Sequence, residues 1–167
     1  EPEFFTNFHT SDVLALELNS TYNSKFGVTG FGIEGREEMI DSSNLGNHSR
    51  SFLGSFIEHR LEFFDKFDFR AGVYSNYYSQ FGWRHFPGAE IGYQINEISR
   101  IYSNIGNSFR IPSYTELYYQ DASNTSNPNL LPEEARNFEI GWKLNKSRLR
   151  AELVYFYRFT ENLIDYT

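Results

Sequence analysis

The sequence predicts an all-β protein, an up-and-down antiparallel transmembrane β-barrel. Aromatic residues make up 19% of the chain, with Phe 17, Tyr 12 and Trp 2, yet the mean hydropathy is -0.55. A chain this aromatic and this polar has alternating faces, not continuous apolar runs. Period-2 alternation recurs along the chain, whereas helical spacing does not. Short polar connections alternate with long ones, as expected of a barrel with one tight rim and one looped rim.

The strands are read in order. Leu14, Leu16 and Leu18 alternate with Ala15, Glu17 and Asn19. Phe26 to Ile33 is Gly-rich and reads as a strand with a bulge. Ser51 to Phe64 is a long strand of mixed pattern, closed by Asp65-Lys66. Phe67, Phe69, Ala71 and Val73 alternate with Asp68, Arg70 and Gly72. Ala89 to Ile95 alternates cleanly and ends at an Asn96-Glu97 turn. From Arg100 to Arg110, Ile101, Ile105 and Phe109 share one face, and Arg100, Asn104, Ser108 and Arg110 the other. Phe138, Ile140, Trp142 and Leu144 alternate with Glu139, Gly141 and Lys143, and a turn follows at Asn145-Lys146-Ser147. Leu149, Ala151, Leu153 and Tyr155 complete the set. This gives about eight strands in four hairpins. Glu34 to Asn47, Asn76 to Pro87 and Pro112 to Arg136 are the expected long connections.

Two settings share this alternation. In a membrane barrel the apolar face meets lipid and the polar face lines a wet lumen. In a soluble eight-stranded barrel the apolar face turns inward and binds a small apolar ligand. Charges in mid-strand (Arg70, Glu90, Glu139, Arg150, Glu152) suit a lumen wall. Aromatics crowd the strand ends, among them Phe63, Phe67, Tyr77, Trp83 and Tyr157, as in the girdles at membrane interfaces. No helical segment is available to cover a second face. These features favour the membrane barrel.

Composition excludes several function classes. Net charge is -7, so no basic stripe exists to bind nucleic acid. Cys is 0, which excludes disulfide scaffolds, Cys-containing zinc sites and thiol nucleophiles. His9, His48, His59 and His85 are far apart, and no metal ligand set is expected. Gly27 to Gly32 is not a phosphate loop, because no helix follows it. The Asp121 to Asn129 loop is oxygen-rich but lacks the spacing of a calcium loop. No catalytic constellation or cofactor site is expected. Glu1-Pro2-Glu3 lacks the start of a signal peptide, so a mature chain or an excised piece is expected.

One segment carries a family resemblance. Asn107-Ser108-Phe109-Arg110-Ile111-Pro112-Ser113-Tyr114-Thr115-Glu116-Leu117-Tyr118-Tyr119 resembles the strand-end signature of TonB-dependent outer-membrane receptors. Asn127-Pro128-Asn129-Leu130-Leu131-Pro132-Glu133-Glu134 resembles the second half of that signature. Asn137 to Gly141 and Tyr155 to Tyr166 resemble the next two strands. The match covers Arg100 to Tyr166 and is closest to cobalamin and siderophore receptors.

The resemblance implies an outer-membrane barrel of about 22 strands, of which this chain would supply about eight. It also implies an active transporter for a scarce ligand such as siderophore-iron or cobalamin. The intact protein would be driven by the TonB complex through a plug domain that this chain lacks, and would be surrounded by outer-membrane lipid. Phe109, Pro112, Asn127, Pro128, Pro132, Glu133 and Gly141 take the positions of structural motif residues. Arg110, Glu116, Tyr118 and Tyr119 are the rim candidates for ligand contact. Arg110 has a second reading, as the partner of a lumen or plug carboxylate that fixes the fold. An isolated piece with two open sheet edges and a bare apolar face is expected to self-associate.

Overall fold

The computed structural model describes residues 7–120 and 126–165. Asp121 to Asn124, part of the oxygen-rich loop, lies outside the described residues. Among the described residues there are eight strands: β1 (His9–Ser24), β2 (Gly27–Ser42), β3 (Gly46–Phe63), β4 (Phe67–Tyr78), β5 (Gly82–Asn96), β6 (Ser99–Arg110), β7 (Glu133–Lys146) and β8 (Leu149–Glu161). One short helix, α1 (Tyr114–Tyr118), lies between β6 and β7. The strands form one sheet in the order β1-β2-β3-β4-β5-β6-β7-β8, all neighbours antiparallel. The shortest, β4 and β6, have 12 residues each. A tilted strand needs roughly 9–11 residues to cross a bilayer, so every strand is long enough.

Direct cross-strand partners share a face of the sheet. Tyr93, Ile101, Trp142 and Leu153 are successive partners from β5 to β8, as are Ile91, Ser103, Ile140 and Tyr155. Leu149 is in phase with Leu153. Glu90, Asn104 and Glu139 fall on the opposite face, with Gln94, Arg100, Lys143 and Glu152. Arg110 and Arg150 keep the phase of that polar face. The apolar face is exposed along its length: Leu16, Ile57, Ile105, Leu153 and Tyr155 all stand in the open. Aromatics mark both of its ends, with Phe63 stacked on Phe67 and Phe67 tilted against Tyr93 at one, and Tyr77 against Trp83 at the other.

The connections differ from the expected pattern. One rim is tight throughout, with turns at residues 25–26, 64–66, 97–98 and 147–148. The other rim also has short turns, at 43–45 and 79–81, and its single long connection is 111–132. Glu34 to Asn47 and Asn76 to Pro87 are therefore mostly strand. Three charges of the first run satisfy one another along one face of β2. Arg36 holds Glu34 at 2.8 Å and Glu38 at 2.7 Å, both two residues away on β2.

The polar face has its own packing rule. Large side chains lie flat across glycines of the neighbouring strand. The Tyr102 ring occupies the space where a Cβ on Gly141 would sit, and the Arg100 guanidinium does the same at Gly92. Tyr102 is 7% exposed and donates its hydroxyl hydrogen to Glu152 at 2.9 Å. Gly35, in phase with the apolar face, has open space where its Cβ would be. The expected outcome is that Gly141→Val lowers stability by about 1–3 kcal/mol, whereas Gly35→Val changes it by less than about 0.5 kcal/mol. Urea unfolding in detergent micelles, followed by tryptophan fluorescence, measures both.

Candidate functional site

Buried groups concentrate at the rim that carries the long connection. Leu45, Phe52, Tyr78, Leu117 and Ala135 are buried there, and Pro112 is fully enclosed. They are buried because residues 111–118 fold back over the polar face of β2–β4 instead of extending outward.

The cause begins in the wall. Pro87 has no N–H for a ladder bond. The β5–β6 ladder reaches Gly88 opposite Gly106 and goes no further toward this rim. Freed from β5, the end of β6 stays paired only to β7. Phe109, expected on the apolar face, turns through the opened seam. Its ring lies 5.4 Å from Phe86 and 5.8 Å from Tyr78, both polar-face residues. Arg84 and Glu134 meet across the same seam at 3.6 Å.

Beyond Arg110 the chain turns inward. Ser113 caps α1: its hydroxyl accepts from the Glu116 N–H at 3.2 Å, and Glu116 accepts from the Ser113 N–H at 2.7 Å. This reciprocal box satisfies two donors that a helix start otherwise leaves unpaired. Arg110 donates to both Glu116 oxygens at 3.0 Å and to both Glu133 oxygens at 2.9 Å. Glu133 also accepts from the Ile164 N–H at 2.8 Å. One guanidinium thus ties the end of β6, the start of α1, the start of β7 and the segment after β8.

The far end of α1 sits on β3. The His48 ring stacks on Tyr118 at 3.6 Å and donates from Nε2 to the Leu45 carbonyl at 2.7 Å. Gln80 donates to the Tyr118 hydroxyl at 3.4 Å. Arg50, beneath, donates from Nη2 to the Pro112 carbonyl at 3.1 Å and lies 4.8 Å from the Tyr114 ring.

The four rim candidates lie on one segment, with different surroundings. Arg110 and Glu116 are bonded to each other, Tyr118 is against His48, and Tyr119 forms the C-cap, its N–H donating to the Thr115 carbonyl at 3.0 Å. Among the motif residues, Asn127 builds a turn by accepting from the Asn129 N–H at 2.9 Å and the Leu130 N–H at 3.2 Å, with Pro128 inside it. Pro132 is buried, and its carbonyl accepts from Asn162 at 3.4 Å. Sequence reasoning missed His48 and Arg50 on β3 and Gln80 in the β4–β5 turn as partners of this segment. Pro87 next to Gly88 was the signal available for the seam. Among the described residues no group of His, Asp or Glu is placed to hold a metal ion. His59 contacts Thr29 at 2.9 Å and His85 contacts Ser75 at 3.0 Å.

An open antiparallel sheet with long strands, one apolar face, one charged face and an inward-folded rim is a section of a membrane barrel wall. The chain matches the TonB-dependent receptor-like β-barrel family over residues 4–167 and belongs to that family. It is therefore part of an outer-membrane β-barrel, and the soluble alternative falls away. Among curated proteins it is 27% identical over 158 residues to the vitamin B12 transporter BtuB of Vibrio vulnificus, covering 89% of this chain and 25% of that protein. Among solved structures it resembles the siderophore receptor PirA from Pseudomonas aeruginosa, with a TM-score of 0.78, 21% identity, and coverage of 91% of this chain and 31% of that one. It also resembles a mutant of the ferric enterobactin receptor PfeA from Pseudomonas aeruginosa, with a TM-score of 0.79, 16% identity, and coverage of 96% and 28%. The chain spans about a quarter of the length of the curated transporter it matches.

The capping box gives the inward segment a pH dependence. Burial pushes the Glu116 carboxyl up, but the Ser113 hydrogen bonds and the Arg110 guanidinium outweigh it and hold the group below its ordinary 4.5. A carboxyl with a lowered folded-state value stabilises the fold fully above its unfolded value, and that contribution is lost as pH falls through the folded value. Cleavage of residues 111–119 by pepsin, taken relative to an unstructured control peptide at each pH, should therefore stay slow above pH 4.5 and accelerate as the pH is lowered below it. Glu116→Gln should be cleaved rapidly throughout, with no such transition.

Proposed function

We propose that this chain is a stretch of the barrel wall of an active transporter that takes up a scarce chelate: siderophore-bound iron, cobalamin or a similar ligand. The observation that carries this reading is the pairing of a charged inner wall with a mouth narrowed by its own inward-folded connection. The names of the relatives support it, since one is a vitamin B12 transporter and others are siderophore receptors. On the inner wall acidic and basic side chains interleave, as where Arg100 holds Asp68 at 2.7 Å and Glu90 at 3.2 Å. Such a wall stays hydrated without drawing in one sign of charge, which suits passage more than storage.

In this reading Arg110, Glu116, Tyr118 and Tyr119 form the rim past which the ligand moves. Energy reaches the intact protein from the TonB complex through a plug domain. Outer-membrane lipid covers the apolar face. The exposed edges of β1 and β8 pair with further strands of the barrel, so the 167-residue chain alone self-associates in detergent-free buffer. A stable monomer that binds no detergent, seen by light scattering, would contradict this assignment.

The functional test uses the full-length protein with cyanocobalamin and ferric enterobactin as separate probes. Saturable binding of one probe, and its uptake into cells only when TonB is present, is the expected result. Binding of neither probe, or uptake that persists without TonB, would overturn the reading.

A further inference from the structure

The buried cation on β3 has no counter-ion among the described residues. Arg50 is 4% exposed. Glu38, directly across from it on β2, is bonded to Arg36 at 2.7 Å instead. What replaces water around Arg50 is the Pro112 carbonyl at 3.1 Å, the Gln80 side-chain oxygen at 3.1 Å, and the rings of Tyr114 at 4.8 Å and Phe81 at 5.6 Å. A guanidinium taken from water without a carboxylate is costly unless its donors and its flat faces are all engaged. Here two of those four contacts, the Pro112 carbonyl and the Tyr114 ring, come from the β6–β7 connection. Burial of Arg50 and seating of the β6–β7 connection are therefore one event. With the connection lifted, the cation returns to water and the Pro112 carbonyl loses its donor.

The other end of the same segment is held independently by Arg110 between Glu116 and Glu133. We propose that Arg50 is the positioning residue of the mouth. It fixes residues 111–119 as a permanent inward strap, sets where Tyr118 and Tyr119 stand, and makes ligand pass beside the strap without displacing it. Only the last clause rests on the transport reading. Anchored at its root by Arg110 and over its helix by Arg50 and His48, the strap has no free end about which to swing. Arg50 suits the role where lysine would not, because the planar fork reaches two acceptors while stacking on rings.

Hydrogen exchange of the full-length protein in detergent micelles, read by mass spectrometry on peptides covering residues 113–119, tests the assignment. The wild-type strap should be protected. Arg50→Ala should speed exchange there at least about tenfold, a loss of roughly 1.4 kcal/mol of protection, and leave β7 and β8 unchanged. Arg50→Lys should recover part of the protection. Should Arg50→Ala fail to fold, Phe81→Leu removes one ring from the Arg50 guanidinium without touching the strap, and a rise confined to the same peptides is expected. Unchanged exchange in the folded variant, or a wild-type strap that exchanges like an unstructured peptide, would overturn the role of Arg50.

Cyanocobalamin supplies the second arm. Its addition should leave strap exchange unchanged, and its binding should weaken at least about fivefold in Arg50→Ala, with Arg50→Lys between. Faster strap exchange on adding cyanocobalamin would refute passage beside a fixed strap. If the wild-type protein binds no cyanocobalamin, the cobalamin reading fails while the exchange result still decides the role of Arg50.

Discussion

Every backbone N–H and C=O within a bilayer must find its partner inside the protein, and the rest of this structure depends on that constraint. An antiparallel ladder meets it over eight strands with no crossover. Once the ladder is fixed, side chains alternate with a period of two, and the sheet has two faces whether or not anything covers them. The apolar face is left exposed, as the outward face of a membrane barrel wall is. The polar face is lined by charges that hold one another along and across strands, as Arg36 holds Glu34 and Glu38, and Arg100 holds Asp68 and Glu90.

The ladder is interrupted between β5 and β6, and the mouth is built on that interruption. Pro87 has no donor to offer, β6 parts from β5 beyond Gly106, and the next residues are free to leave the wall. Phe109 fills the opening from the polar side. The chain then enters the lumen through Pro112, which is fully buried. Local chemistry completes the turn: a capping box starts α1, and one arginine gathers the carboxylates of Glu116 and Glu133. The motif from Phe109 to Glu133 is thus a structural device first, and the side chains it presents at the rim follow from how it is seated.

Much of this was legible in the sequence, for identifiable reasons. Alternation within Ala89–Ile95 and Phe138–Leu144 reports the face of each residue directly, and the ladder places Ile91, Trp142, Glu90 and Glu139 as the period requires. The turn read at Asn145-Lys146-Ser147 stands out between two alternating runs, and the ladder carries Asn145 and Lys146 as the end of β7, leaving the turn at 147–148. Glu34 to Asn47 was harder to read, because a polar run looks like a loop until Glu34, Arg36 and Glu38 are seen to pair on one face. Phe109 defied its period because pairing to β5 had already ended, a long-range event set by Pro87 more than twenty residues earlier. The seat of the strap was hidden for the same reason. His48, Arg50 and Gln80 lie far from Tyr118 in sequence, and nothing local marks them as its partners.

The central claim is that this sheet is a barrel wall with lipid on one side and water on the other. Single spin labels placed along β7 in the full-length protein, reconstituted in bilayers, test it most directly. Accessibility to oxygen, which dissolves in lipid, should peak at Phe138, Ile140 and Trp142, and accessibility to a water-soluble nickel chelate at Asn137, Glu139 and Lys143. Loss of the two-residue alternation, or the same alternation with its phase reversed, would contradict the account.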